Sequence, residues 1–217
     1  MIDEMEGRGL VAALLFVDEH CERWPALDAI REIHRLIFRK ANPTMAGVYR
    51  REQYWPHYTR FVVPEWRKVP FCMGRVEMLL EQARQECDAL EGLDQREKVV
   101  EWAARIHHRF ECIHPFENGN GRTGRAVVTW MLTHYGLPAF DLPEARRTDY
   151  IVALEIADEE TRTDDLLYTD FWDRQLTALE PLIELIAEVL RDSGGEEPTP
   201  DAVTTAPIDP GASHDHR

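Results

Sequence analysis

The turn between two predicted helices is the most informative part of the chain: residues 114–125 read HPFENGNGRTGR. Gly119 and Gly121 permit backbone conformations that other residues resist, and they let a ligand approach the main chain closely. The first N–H groups of a helix lack intrahelical acceptors and point along the positive end of its dipole. A helix that begins near Asn120 therefore predicts an anion site, and phosphate is the usual anion at such a site.

Two arginines and a histidine accompany this turn. Arg122 and Arg125 are three residues apart, so they share one helix face, and a pair of guanidinium groups suits the neighbouring phosphates of a di- or triphosphate. His114 stands at the start of the turn, where a neutral imidazole with a pKa near ~6.5 can take a proton from a hydroxyl at cellular pH. Each of these residues alone would more often be a packing or solvated residue. Together they predict attack of a hydroxyl on a nucleotide phosphate.

Two other phosphate motifs do not fit. Gly119, Gly121 and Gly124 match G-x-G-x-x-G, but that fingerprint requires a preceding β-strand, and here a helix precedes the turn. The Gly-Lys-Ser/Thr of the Walker A loop is absent from the sequence.

The apolar spacing on both sides of the turn predicts an all-α fold with one short β element. Tyr58–Val63 is rich in β-forming residues, and Pro and Gly interrupt the segment around it. Asp94 is a suitable N-cap for the fourth helix, and Pro181 predicts a kink in the seventh. The predicted helices cover about residues 10–24, 27–37, 70–90, 94–114, 120–135, 143–158 and 165–191.

Composition limits the classes of function. The chain has 217 residues, with 25 Lys+Arg and 40 Asp+Glu, a net charge of −15. This acidic balance argues against nucleic-acid binding and against an anionic membrane surface as partner. The sequence contains no apolar run long enough to span a membrane and no signal peptide, and its four cysteines form no C-x-x-C pair. A cytoplasmic protein with reduced thiols is expected.

Two regions differ in composition. Residues 1–191 are predicted to form one helical catalytic domain with its core at about 26–150. Residues 192–217 contain six acids and four prolines. Such a segment cannot bury enough apolar surface to offset its ordering entropy, so an acidic disordered tail is predicted.

The motif at 114–125 resembles that of the Fic (Fido) family, H-P-F-x-[D/E]-G-N-G-R-x-x-R, and the likeness extends more loosely over Ala26–Tyr150. The resemblance implies a Fic-type helical bundle that transfers AMP from ATP, with Mg²⁺, to a Ser, Thr or Tyr hydroxyl of a target protein. It also implies that Phe116 anchors the loop and that Thr59–Pro64 belongs to a β-hairpin flap that aligns the target segment.

The resemblance assigns a role to each motif residue. His114 would be the general base, and Arg122 and Arg125 would hold the β- and γ-phosphates. The expected nucleotide-binding residues are Gly119, Asn120, Gly121, Arg122, Thr123, Gly124 and Arg125, with the backbone of the first three forming an anion hole.

Asn118 is the departure from the family pattern, since an acid that ligates Mg²⁺ usually stands at this position. An amide oxygen can ligate a hard cation but brings no charge. We expect Asn118 to be the metal ligand. Two alternatives remain open: the same fold with another donor, giving UMP or phosphate transfer, and an ATP-binding regulatory module with weak catalysis.

Family members also carry an inhibitory helix with [S/T]-x-x-x-E-[G/N], whose glutamate pairs with the second motif arginine. Glu6-Gly7 fits the end of this pattern, but Ile2 stands where Ser or Thr belongs. Without such a glutamate, restraint would come from a separate inhibitory partner protein or would be absent. A homodimer is a further open alternative. His107 and His108 raise the alternative of a metal cluster with His114, but the apolar helix face of His107 favours a hydrogen-bonded core histidine.

Overall fold

The computed structural model describes residues 2–53, 63–159 and 177–193. Within these ranges the regular structure is all helical and no strand is present, which confirms the all-α part of the predicted fold class. The predicted flap at Thr59–Pro64 falls outside the described residues except for Val63 and Pro64. The described residues form seven α-helices: α1 (Ile2–His20), α2 (Leu27–Phe38), α3 (Val69–Asp88), α4 (Gly92–Ile113), α5 (Asn120–His134), α6 (Arg147–Glu159) and α7 (Glu180–Ser193).

Three short 3-10 turns, Trp66–Lys68, Glu144–Arg146 and Thr177–Leu179, lead into α3, α6 and α7. None of the described helices has the length and apolar character that crossing a membrane requires. The four cysteines are free thiols.

Two predictions about helices were wrong: the start of α4 at Asp94 and the kink at Pro181. Helix α4 begins at Gly92 with Glu91 as its N-cap, so Asp94 lies in the first turn, where its carboxylate faces the positive end of the helix dipole. Pro181 does not kink a long helix but lies in the first turn of α7, where its missing N–H has no intrahelical partner to lose. Helix α7 continues to Ser193, two residues into the predicted tail, and residues 194–217 lie outside the described ranges.

Helix α4 is the centre of the fold. It packs against α3, α5, α6 and α7, while α1 packs against α2 and α5. Its C-terminal half is buried on every side, including the polar residues Arg105, His107, His108 and Arg109. A helix that is buried all round needs partners for its polar groups. This packing fixes the end of α4 and the start of α5, and the motif turn joins these two helix ends.

Candidate active site

The motif turn lies at the mouth of a cavity. Helix α4 ends at Ile113, His114 adopts a left-handed conformation with φ of 48°, and α5 begins at Asn120 after Gly119 with φ of 75°. The cavity has a volume of about 570 Å³, within the range of small-molecule sites. Its lining includes seven motif residues, His114, Asn118, Gly119, Asn120, Gly121, Arg122 and Arg125. The opposite wall comes from α6 and the segment before it, with Arg147, Tyr150, Ile151 and Asp158.

The side chain of Asn120 fixes the shape of the turn. Its Oδ1 accepts a hydrogen bond from the Phe116 N–H at 2.9 Å, and its Nδ2 donates to the Phe116 carbonyl oxygen at 2.9 Å. Phe116 is fully buried, as an anchor of the loop must be. Because the amide of Asn120 is used inside the turn, the part of Asn120 that remains for a ligand is its backbone N–H at the start of α5.

His34 supports the turn from α2, a role that was not among the predicted ones. Its ring stacks on Phe116 with centroids 3.8 Å apart and an interplanar angle of 5°. Nδ1 accepts from the Gly47 N–H at 2.8 Å, so Nε2 carries the proton and donates to the Asn118 carbonyl oxygen at 3.0 Å. Burial lowers the pKa of His34 to about 4, so the ring is neutral near pH 7. The sequence signal for this role was a histidine among the apolar positions Ile30, Ile33 and Ile37, because a histidine on a buried helix face needs hydrogen-bond partners inside the protein.

Gly119 and Gly124 allow two close approaches. A Cβ on Gly119 would lie 2.3 Å from Cε2 of Phe38, and a Cβ on Gly124 would lie 2.6 Å from Nδ1 of His107. Thr123 is fully buried. The structure thus brings the other predicted nucleotide-binding residues to the cavity and sets Thr123 and Gly124 in the packing of α5, outside the described cavity lining.

The two motif arginines have different partners. Nη1 of Arg122 donates to Oε2 of Glu6 at 2.6 Å, and its guanidinium lies 5.0 Å from the ring centre of Phe38. The guanidinium of Arg125 lies 5.5 Å from the ring centre of Tyr150. The acid of α1 that fits the end of the inhibitory pattern therefore reaches the site, but it pairs with the first motif arginine and not with the second.

His114 is a buried, neutral imidazole at this cavity. It is 3% exposed. Burial lowers its pKa to about 4, a hydrogen bond with the Glu111 backbone opposes this shift, and the positive charge of Arg50 adds to it. Oε2 of Glu111 lies 4.0 Å from Nδ1 of His114. Burial raises the pKa of Glu111 to about 7, and its Oε1 has no hydrogen-bond partner among the described residues.

Three potential metal ligands, His108, Cys112 and Asp158, have donor atoms within 4.8 Å of one another. Arg109 Nη1 lies 3.0 Å from Nδ1 of His108, and a guanidinium can only donate, so Nδ1 accepts. Nε2 then carries the proton and donates to Oδ1 of Asp158 at 3.0 Å. Metal binding would need that nitrogen deprotonated and would add a cation beside Arg109. The three residues therefore form a hydrogen-bonded cluster that closes the cavity wall.

His107 is a core histidine, as the sequence favoured, and not part of a metal cluster with His114. Its Nε2 lies 2.7 Å from the Tyr150 hydroxyl oxygen. It is buried among the helices, and this burial lowers its pKa to about 3.

The fold and the site define an all-helical domain that presents a helix N-terminus, two arginines and a buried imidazole to one nucleotide-sized cavity. Residues 24–132 match the model of the Fic/DOC family, and the chain belongs to this family.

The chain is 30% identical over 155 residues to protein adenylyltransferase fic-1 of Caenorhabditis briggsae, covering 69% of this chain and 28% of that protein. Among solved structures it resembles a Fic domain containing signalling protein from Bacteroides thetaiotaomicron, with a TM-score of 0.66, 24% identity, and coverage of 90% of this chain and 74% of that one. It also resembles IbpA Fic2 in complex with adenylylated Cdc42, with a TM-score of 0.59, 16% identity, and coverage of 88% and 56%. These structural likenesses concern the fold, and the chain spans well under a third of the curated relative's length.

Proposed function

We propose that this chain is a protein adenylyltransferase, which transfers AMP from ATP to a Ser, Thr or Tyr hydroxyl of a target protein. The observation that carries the proposal is the convergence of the His114 imidazole, the start of α5 and both motif arginines on one cavity. The names of the sequence relatives, such as protein adenylyltransferase fic-1, support the same reaction.

The proposed reaction is a nucleophilic substitution at the α-phosphorus of ATP, with His114 as the proton acceptor. The target hydroxyl oxygen attacks the α-phosphorus of ATP, the bond from that phosphorus to the bridging oxygen breaks, and pyrophosphate leaves. His114, neutral at cellular pH, accepts the hydroxyl proton. Positioning and neutralisation of charge supply most of the rate in phosphoryl-type transfer.

The nucleotide phosphates would lie at the start of α5. The N–H groups of Asn120 and Gly121 would form the anion hole, while that of Gly119 donates to Oδ1 of Asn118 and would join them only if that bond opened. Arg122 and Arg125 would hold the β- and γ-phosphates. Thr123 and Gly124 would contribute by packing α5 closely on α4, so that the N-terminus of α5 keeps its place.

Asn118 would hold Mg²⁺ together with the phosphate oxygens. Its Oδ1 accepts the Gly119 N–H at 2.7 Å, but an amide oxygen has two lone pairs, so one remains for a cation. Asn118 lines the cavity, and its oxygen is the hard ligand that Mg²⁺ prefers. When bound, the metal would neutralise charge on the phosphates. Since the ligand is neutral, we expect weak affinity for the metal.

Glu6 would restrain the enzyme. Its carboxylate occupies the guanidinium of Arg122 at 2.6 Å, and a carboxylate and a phosphate compete for the same donors. Restraint by Glu6 within the chain needs no separate inhibitory partner protein, and dimerisation is not part of the proposal. The acidic net charge of −15 supports a target protein as partner over nucleic acid or a membrane surface, and we propose a cytoplasmic location.

Mass spectrometry of proteins after incubation with the chain, Mg²⁺ and an equimolar mixture of ATP and UTP tests the proposal. We expect AMP on a hydroxyl side chain. UMP or phosphate on the same side chain would replace adenylylation by another transfer of the same fold. Nucleotide binding without any modified product, in the wild type and in a Glu6→Ala variant, would favour the ATP-binding module.

A further inference from the structure

Arg50 is a buried cation whose described partners are backbone carbonyl oxygens. It is 2% exposed. Its Nε donates to the His114 oxygen at 2.8 Å, its Nη1 to the Glu52 oxygen at 3.2 Å, and its Nη2 to the oxygens of Pro64 and Ile113 at 2.5 and 3.4 Å. A buried charge must be compensated. Within residues 2–53, 63–159 and 177–193 its compensation comes from peptide dipoles, since none of the ion pairs there includes it.

Two of these carbonyls, those of Ile113 and His114, lie at the C-terminal end of α4. The backbone N–H of Arg50 also donates to the Pro115 oxygen at 2.8 Å, so Arg50 contacts three consecutive carbonyls, those of Ile113, His114 and Pro115. The last carbonyls of a helix lack intrahelical donors and carry the negative end of the helix dipole. A guanidinium at this place donates hydrogen bonds to these carbonyl oxygens, and its positive charge lies at the negative end of the helix dipole, which is favourable. Arg50 therefore closes the C-terminus of α4.

The residue that Arg50 holds is strained. His114 has φ of 48°, and it is the one non-glycine residue with positive φ in the described part of the chain. A side chain in this region persists when the surrounding contacts fix it. The Nε of Arg50 binds the carbonyl oxygen of His114 itself, so it acts on the peptide whose rotation would return His114 to an ordinary conformation and turn the imidazole away.

We propose that Arg50 is a positioning residue: its guanidinium holds His114 in the left-handed conformation that presents the imidazole to the nucleotide cavity. The link to catalysis rests on the proposed function, whereas the conformational role of Arg50 does not. The sequence gives no hint of this role, because 64 positions separate the two residues and Arg50 follows a loop.

The charge of Arg50 also acts on the imidazole. Among the described residues, Arg50 and Glu111 are charged or titratable groups that face His114, and the pKa of Glu111 in turn responds to the charges of Arg125 and Asp158. The guanidinium of Arg50 lowers the pKa of His114 and so favours the neutral, proton-accepting form. Removing this charge should raise the pKa of the imidazole. Exposure of the ring would raise it too, because burial is the larger cause of the lowered pKa, so a variant that keeps the charge, Arg50→Lys, separates the two effects.

The test compares Arg50→Lys, Arg50→Met and the control Arg31→Met. Arg31 is a suitable control because its Nε also donates to a backbone carbonyl, that of Gly47 at 3.0 Å, away from His114. The readouts are the ring pKa of His114 from an NMR titration, the pH profile of nucleotide transfer, and kcat and KM for ATP. Thermal unfolding of each variant reports whether it is folded.

Arg50→Lys keeps the positive charge but loses the several N–H donors of the guanidinium. We expect kcat to fall by about 10- to 100-fold with KM for ATP unchanged, because the general base is then misplaced. Arg50→Met should raise the His114 pKa and move the acid limb of the pH profile upward. Arg31→Met should change neither kcat nor the pKa of His114. Folded Arg50 variants with the wild-type His114 pKa, ring signals and kcat would overturn the proposal.

Two further measurements keep the test decisive. If neither Arg50 variant folds, the wild-type Arg50 Nε–H signal should exchange slowly and show a nuclear Overhauser effect to the His114 Hα, and absence of both would overturn the proposal. If the wild type and Glu6→Ala transfer no nucleotide, the proposed function fails, and the His114 pKa and ring signals still decide the role of Arg50.

Discussion

Oε2 of Glu6 lies 2.6 Å from Nη1 of Arg122, although the two residues are 116 positions apart. The exposed fraction is 15% for the Glu6 side chain and 25% for that of Arg122, so the pair is largely shielded from water. An ion pair of this kind resists screening by salt better than an exposed pair does. It places an acid of α1 on a guanidinium that the proposed reaction needs for phosphate.

Removal of this acid should activate the protein. In Glu6→Ala we expect the apparent KM for ATP to fall by about ten-fold, which lies within the usual range of coupling between two sites. Transfer rates at limiting ATP, measured over a series of ATP concentrations, check this. The matched control is Glu4→Ala, which removes an acid of the same helix that pairs with Arg8 instead. Equal KM values in Glu6→Ala and the wild type would rule out competition between Glu6 and ATP.

Asn118→Asp should strengthen metal binding. The replacement keeps an oxygen that can accept the Gly119 N–H and adds the negative charge that a hard cation favours. We expect half-maximal transfer at a several-fold lower Mg²⁺ concentration, from titrations of activity with Mg²⁺. Glu117→Gln, a change at the exposed neighbouring residue, should leave the titration curve in place. If Asn118→Asp left it in place too, Asn118 would not be a metal ligand.

Gly119→Ala should destabilise the turn. A Cβ there would lie 2.3 Å from Phe38 at φ of 75°, so both contact and conformation oppose it. We expect the free energy of unfolding to fall by at least about 1–2 kcal/mol. A Cβ on Gly74 in α3 would have no neighbouring atom within 4 Å, so Gly74→Ala should raise the free energy of unfolding by about 1 kcal/mol. Urea unfolding measures both, and similar effects of the two changes would argue against the special role of Gly119.

The free energy of unfolding should fall on acidification. His34, His107 and His114 have pKa values lowered by burial to about 4, 3 and 4. Their unfolded value is near ~6.5, so below that pH the unfolded chain binds more protons and the folded state loses stability. Each of these histidines should reduce the free energy of unfolding by on the order of 1–2 kcal/mol between pH 7 and pH 5.

Glu111 acts in the opposite direction. Burial raises its pKa to about 7, so its protonation stabilises the folded state as the pH falls from about 7. The resulting gain in the free energy of unfolding is about as large as the loss caused by one of the histidines. His34→Gln should flatten the net pH dependence, because a glutamine can accept from Gly47 and donate to Asn118 without titrating. Urea unfolding at pH 7 and 5 provides the comparison, and an unchanged slope in His34→Gln would contradict a lowered His34 pKa.

Local patterns predicted the fold and the motif turn, and contacts between distant residues accounted for what they missed. Apolar spacing identified the helices, and HPFENGNGRTGR identified the turn, because both depend on neighbours in the chain. The pair of Glu6 with Arg122 and the support of Asn118 by His34 depend on how helices pack. Asp94 and Pro181 were assigned the wrong roles because a cap or a kink depends on where the helix starts, and the start was misplaced by a few residues or more.

The most direct test uses ATP labelled at the α- or at the γ-phosphate, with the Glu6→Ala protein as enzyme and His114→Ala in the same background as control. We expect the target protein to become labelled from α-labelled ATP and not from γ-labelled ATP. In the His114→Ala control we expect this label to fall by at least about 100-fold, the usual contribution of a general base. Label of equal strength in the His114→Ala control, or label from the γ-phosphate, would contradict these expectations.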